Sequence, residues 1–519
     1  TSTAALVGAP MTWQYGYDAM GRPTITTDPY GKTVYTYYDS LGRPIQTQQA
    51  VGAEQSIISL EYNAADGLTK VTDPRSLQTT YSPTGLGTVT AQTSPDTGTA
   101  TATYDANRNL TGKTDARGKL TTFAYDSLNR LTTVHYVSGT DTTLEYDGGA
   151  TPTPATAGEL TKMTDESGQT RYTYDSAGRL STKTQVSNGK TFVVTYTWGD
   201  TGSALDKLTA ITYPSGTKVN YAYDAQGSVS GITVNTVNAN GVGVSGTASP
   251  LLSAITLTPA GEVSGWSWAS GKTQSRTYDQ YGQPNSYKLG DPSGTGASAG
   301  SIRTIGYDGA GRIMAYSHTN NGATQPNLNQ SFAYDDLTRL VSASLGSSAI
   351  QYSYDLTGNR TSKVISGTAY NNTVSPTSNK LTQTQDVGGT NPIQYDLAGN
   401  ITNDGGNTYT YSDRGRLSSV TTAGGTVSYR YNGLEQRTYK TGPTALIPTG
   451  VAYYVYDESG KLLGEYDANG APVYETVYLG MTANSKVGQA LMASPVAVLK
   501  QTGTAAGSTR RIISSPSRT

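Results

Sequence analysis

The chain of 519 residues contains no cysteine, only two histidines and only three phenylalanines. The first absence excludes disulfide frameworks, thiolate metal sites and thiol nucleophiles. The second leaves His135 and His318 as the whole imidazole inventory, so His-rich metal sites and most His-based catalysis are not expected. Charged residues make up 14%, and the formal net charge is −1. That balance argues against a dedicated nucleic-acid binder. No run approaches the ~18 apolar residues that a membrane helix needs. The chain opens Thr1-Ser2-Thr3. No basic and apolar leader is expected in it, whether none was made or one was removed.

What is abundant is tyrosine, 39 of the 46 aromatic residues, and glycine, with 60. Aliphatic residues are too few for a thick core. Tyrosine and threonine instead suit pleated surfaces wet on one side. The dipeptide Tyr-Asp occurs 14 times, from Tyr17-Asp18 to Tyr466-Asp467. Its spacing is 20 or 21 residues at Tyr17 to Tyr38, Tyr104 to Tyr125, Tyr125 to Tyr146 and Tyr334 to Tyr354. Such a period marks a repeat protein.

The unit is clearest between Asp165 and Leu180. Two turns, Asp165-x-x-Gly168 and Asp175-x-x-Gly178, bracket one alternating segment. Asp at the first turn position accepts local N–H bonds, and Gly at the fourth tolerates positive φ. Tyr172 and Tyr174, two apart, share one face of the strand between the turns. The same spacing recurs at Tyr15/Tyr17, Tyr221/Tyr223, Tyr352/Tyr354 and Tyr454/Tyr456. One unit is therefore two short strands and two turns. The expected fold is all-β, a repetitive antiparallel hairpin ribbon with almost no helix. Anchor tyrosines are expected to stack on rings of adjacent hairpins.

These Tyr-Asp-x-x-Gly-Arg-Leu units resemble RHS/YD repeats, over roughly residues 13–480. That family includes bacterial Rhs toxins, the C components of insecticidal toxin complexes, wall-associated repeat proteins and teneurins. Leu251-Leu-Ser-Ala-Ile255, Gly265-Trp-Ser-Trp268 and Tyr395-Asp-Leu-Ala-Gly-Asn400 favour the bacterial branch. The resemblance implies a ribbon spiralling into a hollow shell or open coil that encloses a polypeptide segment. It also implies secretion or display at the cell surface. About 45 strands at ~4.8 Å give a ribbon ~215 Å long, fewer than two tight turns. The rival implication is a surface adhesion or carbohydrate-binding module, and a third is a decayed toxin fragment. The implied partners are the chain's own C-terminal segment or a protein cargo, and surface glycans for the rival.

The chain departs from the family at its end. The C-terminal Asp-Pro-x-Gly-Leu string of toxin shells is missing. Asp28-Pro29-Tyr30-Gly31 and Asp291-Pro292-Ser293-Gly294 are read as turns, so self-cleavage and toxicity are not carried over. Two regions are expected, a shell over 1–480 and a segment over 481–519 that leaves the repeat pattern. From Thr476 onward there is no acidic residue and five basic ones, Lys486, Lys500, Arg510, Arg511 and Arg518. This tail is expected to leave the ribbon and touch the shell's interior.

No catalytic, cofactor or metal residue is assigned. His135 and His318 are expected to be wall residues satisfied by neighbours. The recurring Asp residues read as backbone caps, because no Asp-x-Asp-x-Asp-Gly loop exists. Arg179, Arg312, Arg339 and Arg416 are expected at turn exits, each reaching a nearby Asp. Rows of tyrosine beside them fit wall packing better than sugar or peptide binding.

Overall fold

The computed structural model describes residues 12–49, 55–235, 248–289 and 300–479, and the backbone of 494–502 and 509–514. These residues form 46 strands. Their helical turns are three short 3-10 segments, Pro154–Thr156, Gly202–Ala204 and Pro326–Leu328. The all-β expectation holds.

The hairpin of Gly168–Tyr174 with Leu180–Ser187 shows how the unit forms. Register runs antiparallel from Gly168↔Ser187 to Thr173↔Thr182, then slips so that Tyr174 faces Leu180. Between the strands, Gly178 N donates to Asp175 O and Asp175 N donates to Arg179 O. Gly178 sits at φ +76. This is a type I turn closed by a left-handed residue, a common way to reverse a twisted hairpin. The same slip falls just before Tyr17, Tyr38, Tyr62, Tyr223 and Tyr354. A one-residue slip reverses which face a side chain takes, so its recurrence holds the pattern in phase.

The strands form sheets of 32, 3 and 11 strands in which successive strands mostly pair antiparallel, so turns alternate between the two edges of the ribbon. One edge carries the Tyr-Asp turns and their degenerate copies, such as 18–21, 39–42 and 126–129. The opposite edge carries turns such as 28–31, 73–76 and 115–118.

The chain divides into two compact units. The first is Thr1–Leu120 with Arg276–Gly406; the second is Thr121–Ser275 with Asn407–Thr519. Each joins two stretches far apart in sequence. In the first unit, Arg75 donates to Ser378 O at 2.8 Å and to Ser375 O at 2.5 Å. Asn379 N donates to Asp96 Oδ1 at 2.6 Å, and Lys32 pairs with Asp336. In the second unit, Ser138 N donates to Asp413 Oδ2 at 2.7 Å. Gly433 N donates to Asp165 Oδ2 at 2.7 Å, and Tyr431 N to Glu166 Oε1 at 2.9 Å. In both units the Tyr-Asp edge of the later stretch meets the opposite edge of the earlier one.

The units differ in what lies behind the turns. Among the described residues, Leu337 is the one buried apolar side chain of the first unit. Its strands alternate between half-buried and exposed, as in Gly98–Tyr104. The second unit has a true core. Lys190–Trp198 buries Phe192, Val194, Tyr196 and Trp198 on one face, and the cluster extends to Tyr453, Leu463, Tyr466 and Val477.

The tail corrects one expectation. The backbone of Ser494–Thr502 pairs antiparallel with Pro472–Leu479, and Thr509–Ser514 pairs with Ser494–Thr502. Pairing therefore continues beyond residue 480. Val496-Ala-Val-Leu499 keeps enough β-forming character to extend the ladder although the turn motif is gone. Residues 480–493, 503–508 and 515–519 lie outside the described residues, as do the tail's side-chain contacts.

Candidate functional site

The repeated chemistry is a wall joint made of three side chains. In the turn at Asp39, Oδ1 accepts from Leu41 N and Arg43 N, both at 2.9 Å. Oδ2 takes the Arg43 Nε at 2.7 Å. Backbone donors from Arg43, then its side chain, hold the Asp39 carboxyl below the usual range. The Arg43 guanidinium then lies 4.9 Å above the ring of Tyr62, one unit on. The Tyr62 hydroxyl donates to Pro44 O at 2.9 Å, the residue after that arginine. Asp, Arg and the next Tyr thus lock two neighbouring hairpins.

The joint recurs. Arg179 bonds Asp175 and lies over Trp198, whose Nε1 donates to Leu180 O at 2.7 Å. Arg312 bonds Asp308 and lies over Tyr334, whose hydroxyl donates to Ile313 O at 2.8 Å. Arg339 bonds Asp335 and lies over Tyr354, which donates to Leu340 O at 2.8 Å. Several anchor tyrosines, among them Tyr38, Tyr62, Tyr146, Tyr334 and Tyr354, therefore lie beneath arginines, while the expected ring-on-ring contact is found at Tyr466, 5.0 Å from Phe192. A cation over a ring keeps its charged head wet while covering the apolar face. Arg416 departs from the expected pattern. Its turn begins with Ser412, and Arg416 Nε donates to Glu435 Oε2 at 2.6 Å.

The remaining sequence candidates are single residues with local partners. Exposed His135 lies with Nδ1 2.9 Å from Asp141 Oδ1. His318 is 2% exposed, and its Nε2 accepts from Arg303 Nε at 3.0 Å. Burial, then the Arg303 charge, pushes the His318 pKa down. Asp28-Pro29 forms a turn in which Gly31 N donates to Asp28 O. Asp291-Pro292 lies outside the described residues. Among the described residues, no group of three His, Asp or Glu is placed to hold a metal ion.

The second unit holds a buried polar seam that sequence reading missed. Lys183 is 1% exposed; its Nζ donates to Tyr456 O at 2.8 Å and lies 3.6 Å from Glu458 Oε1. Tyr196 donates to Glu458 Oε2 at 2.6 Å. Burial raises the Glu458 pKa against the pull of Lys183. Nearby, Glu475 accepts from Ser215 Oγ at 2.7 Å and from Tyr466 at 2.9 Å. In the strand Leu180–Ser187, Lys183 and Gln185 stand at alternating buried positions. That periodicity was a readable signal, but their polarity masked it. The seam lies in the core, where its hydrogen bonds join strands far apart in sequence. A separate open cavity of about 290 Å³ is lined by Thr132, Thr133, Thr143, Leu144, Glu145 and Lys162.

A hairpin ribbon with joints of this kind defines a repeat-built β wall. Comparison with known proteins agrees. The RHS repeat model matches residues 104–141 and 156–191, and the Teneurin YD-shell model matches 265–447. The chain is thereby recognised as carrying RHS/YD repeats. Among curated proteins, none is significantly similar in sequence. Solved structures share the fold. The crystal structure of TcdB2-TccC3 without its hypervariable C-terminal region matches at TM-score 0.72 and 17% identity, covering 96% of this chain and 30% of that one. A Photorhabdus luminescens Tc holotoxin pore matches at 0.70 and 17%, covering 90% and 27%. The complex TcdB2-TccC3-TEV matches at 0.71 and 16%, covering 95% and 29%. This chain spans less than a third of those chains.

Proposed function

We propose that the chain is a non-enzymatic RHS/YD wall that encloses or shields a polypeptide segment, either its own C-terminal segment or a protein cargo. The observation that carries this reading is the joint. The conspicuous charged and aromatic side chains of the repeat are used in holding hairpin to hairpin. The structural likeness to toxin-complex chains over most of this chain supports the same reading. On it, the protein works outside the cell or at its surface. The test is a protease-recognition sequence appended after Thr519. Shielding predicts cleavage many-fold slower in the native protein than in the same chain in urea. Equal rates would refute it.

A second reading, adhesion to glycans, has one observation in its favour. Tyr15 and Tyr17 are 54% and 61% exposed, at alternate positions of the strand Gln14–Tyr17, and Trp13, just before it, is 48% exposed. Period-two geometry puts Tyr15 and Tyr17 on one face, and flat exposed rings suit sugar faces. A glycan-array signal lost on Tyr15→Ala would support it; a blank array would remove it.

A further inference from the structure

In the first unit the third residue of each Tyr-Asp-type turn has two fates. On the earlier stretch it is exposed: Met20 at 78%, Leu41 at 70% and Leu86 at 73%. On the later stretch the same edge is exposed at its first turn, with Tyr281 at 45%, and docked from Asp308 onward. There Leu337 is 8% exposed, and Ala310, Thr357 and Ala398 are all at least partly covered. The turns are built alike, with the fourth residue's N–H returning to the first residue's carbonyl in both stretches. Position along the chain decides the fate. The Tyr-Asp edge of the later stretch rests on the opposite edge of the earlier one, leaving one edge of each kind uncovered. The uncovered opposite edge of the later stretch is also apolar at its turns, with Leu345 at 51% and Val387 at 90% exposure.

We infer that these two free edges bind each other between copies, so that a second copy of this chain seats its Leu345 and Val387 edge on the Met20, Leu41 and Leu86 edge of the first. This rests on the shell reading and adds a partner to it. The contact repeats the polarity of the seam within the unit, a Tyr-Asp edge against an opposite edge. Apolar tips on both sides supply the driving force, which scales with apolar area removed from water. Because the two edges differ, the contact is heterologous and leaves a free edge at each end of the assembly.

Sedimentation velocity on the full chain tests this. The native protein is expected to gain mass steadily as concentration rises. Leu41→Asp/Leu86→Asp loses one edge and Val387→Asp loses the other, so each variant alone is expected to stay monomeric. All three positions are exposed, and unchanged circular dichroism would show that the variants fold. Mixing the two variants is the decisive arm. Each retains the edge that the other lacks, so the mixture is expected to form dimers and stop there. A native chain that is monomeric at every concentration overturns the inference, as does a mixture that stays monomeric. Self-association unchanged by either variant also overturns it. None of these outcomes bears on protection of the appended cleavage sequence, so this inference can fail while the shell reading stands.

Discussion

The fourth turn residue shows how closely backbone geometry ties sequence to structure. It needs positive φ, and glycine supplies it at Gly21, Gly42, Gly178 and many other turns. Thr338 occupies the same position at φ +64. A β-branched residue is strained there by about 1–2 kcal/mol. Thr338→Gly is therefore expected to stabilise the chain by about 1 kcal/mol, after the extra entropy of glycine in the unfolded state is counted. A urea midpoint that fails to rise would contradict this. The anchor hydroxyl offers a second residue-scale test. Tyr174 donates to Leu160 O at 2.7 Å, and burial raises its pKa. Tyr174→Phe is expected to cost about 1 kcal/mol, the net worth of one hydrogen bond. Tyr174→Ala, which also removes the ring, is expected to cost about 3 kcal/mol. Equal losses would mean that the ring contributes nothing to the joint.

At the scale of the hairpin, the turn carboxylates couple stability to acid. Asp18, Asp39 and Asp126 are held below the usual carboxyl range, chiefly by the backbone N–H of the arginine four residues on. Asp147 falls to about 2, chiefly through the Arg130 side chain. A carboxyl with a depressed folded pKa binds its proton first in the unfolded chain. Its contribution is present above the unfolded value of ~3.9 and is lost as pH falls through the folded value. Through these turn carboxylates urea midpoints are therefore expected to fall steeply between pH values of about 4 and 2, below the gentler loss near pH ~6 that the lowered His318 pKa adds. Asp39→Asn should flatten part of that fall. An acid limb identical in variant and native chain would show that the turns do not set it.

At the scale of the molecule, the buried seam of the second unit distinguishes the two halves. Removing one partner of a buried pair costs about 3–5 kcal/mol, whereas replacing both by apolar groups is often neutral. Lys183→Met is thus expected to destabilise strongly, because Glu458 keeps only Tyr196. Lys183→Met/Glu458→Leu should recover most of that loss. Thermal melts of the two single variants and the double variant would decide. A double variant as poor as the singles would mean that the seam's hydrogen bonds, rather than its charges, hold the core. The first unit has no comparable core among its described residues. Its strands depend on joints and docked turns, and it should exchange amide hydrogens faster than the second.

The sequence by itself determined the strands, the turns and their phase, because each follows from local chemistry within about five residues. Asp18 bonds its own turn, Gly21 takes the φ it needs, and Tyr172 and Tyr174 share a face by period two. The partner of Arg179 was legible for the same reason, lying four residues away at Asp175. That of Arg416 was not, since its turn begins with serine and Glu435 lies 19 residues on. What only the tertiary structure decided is which edges meet. Lys183 reaches Tyr456 across 273 residues, and Arg75 reaches Ser378 across 303. No local pattern encodes such distances, because ribbon twist accumulates over many hairpins before distant stretches meet. The fate of Leu337 against Leu41 follows from the same cause. Their turns share the same Asp, Leu and Arg, and one leucine is buried only because another stretch of ribbon arrives to cover it.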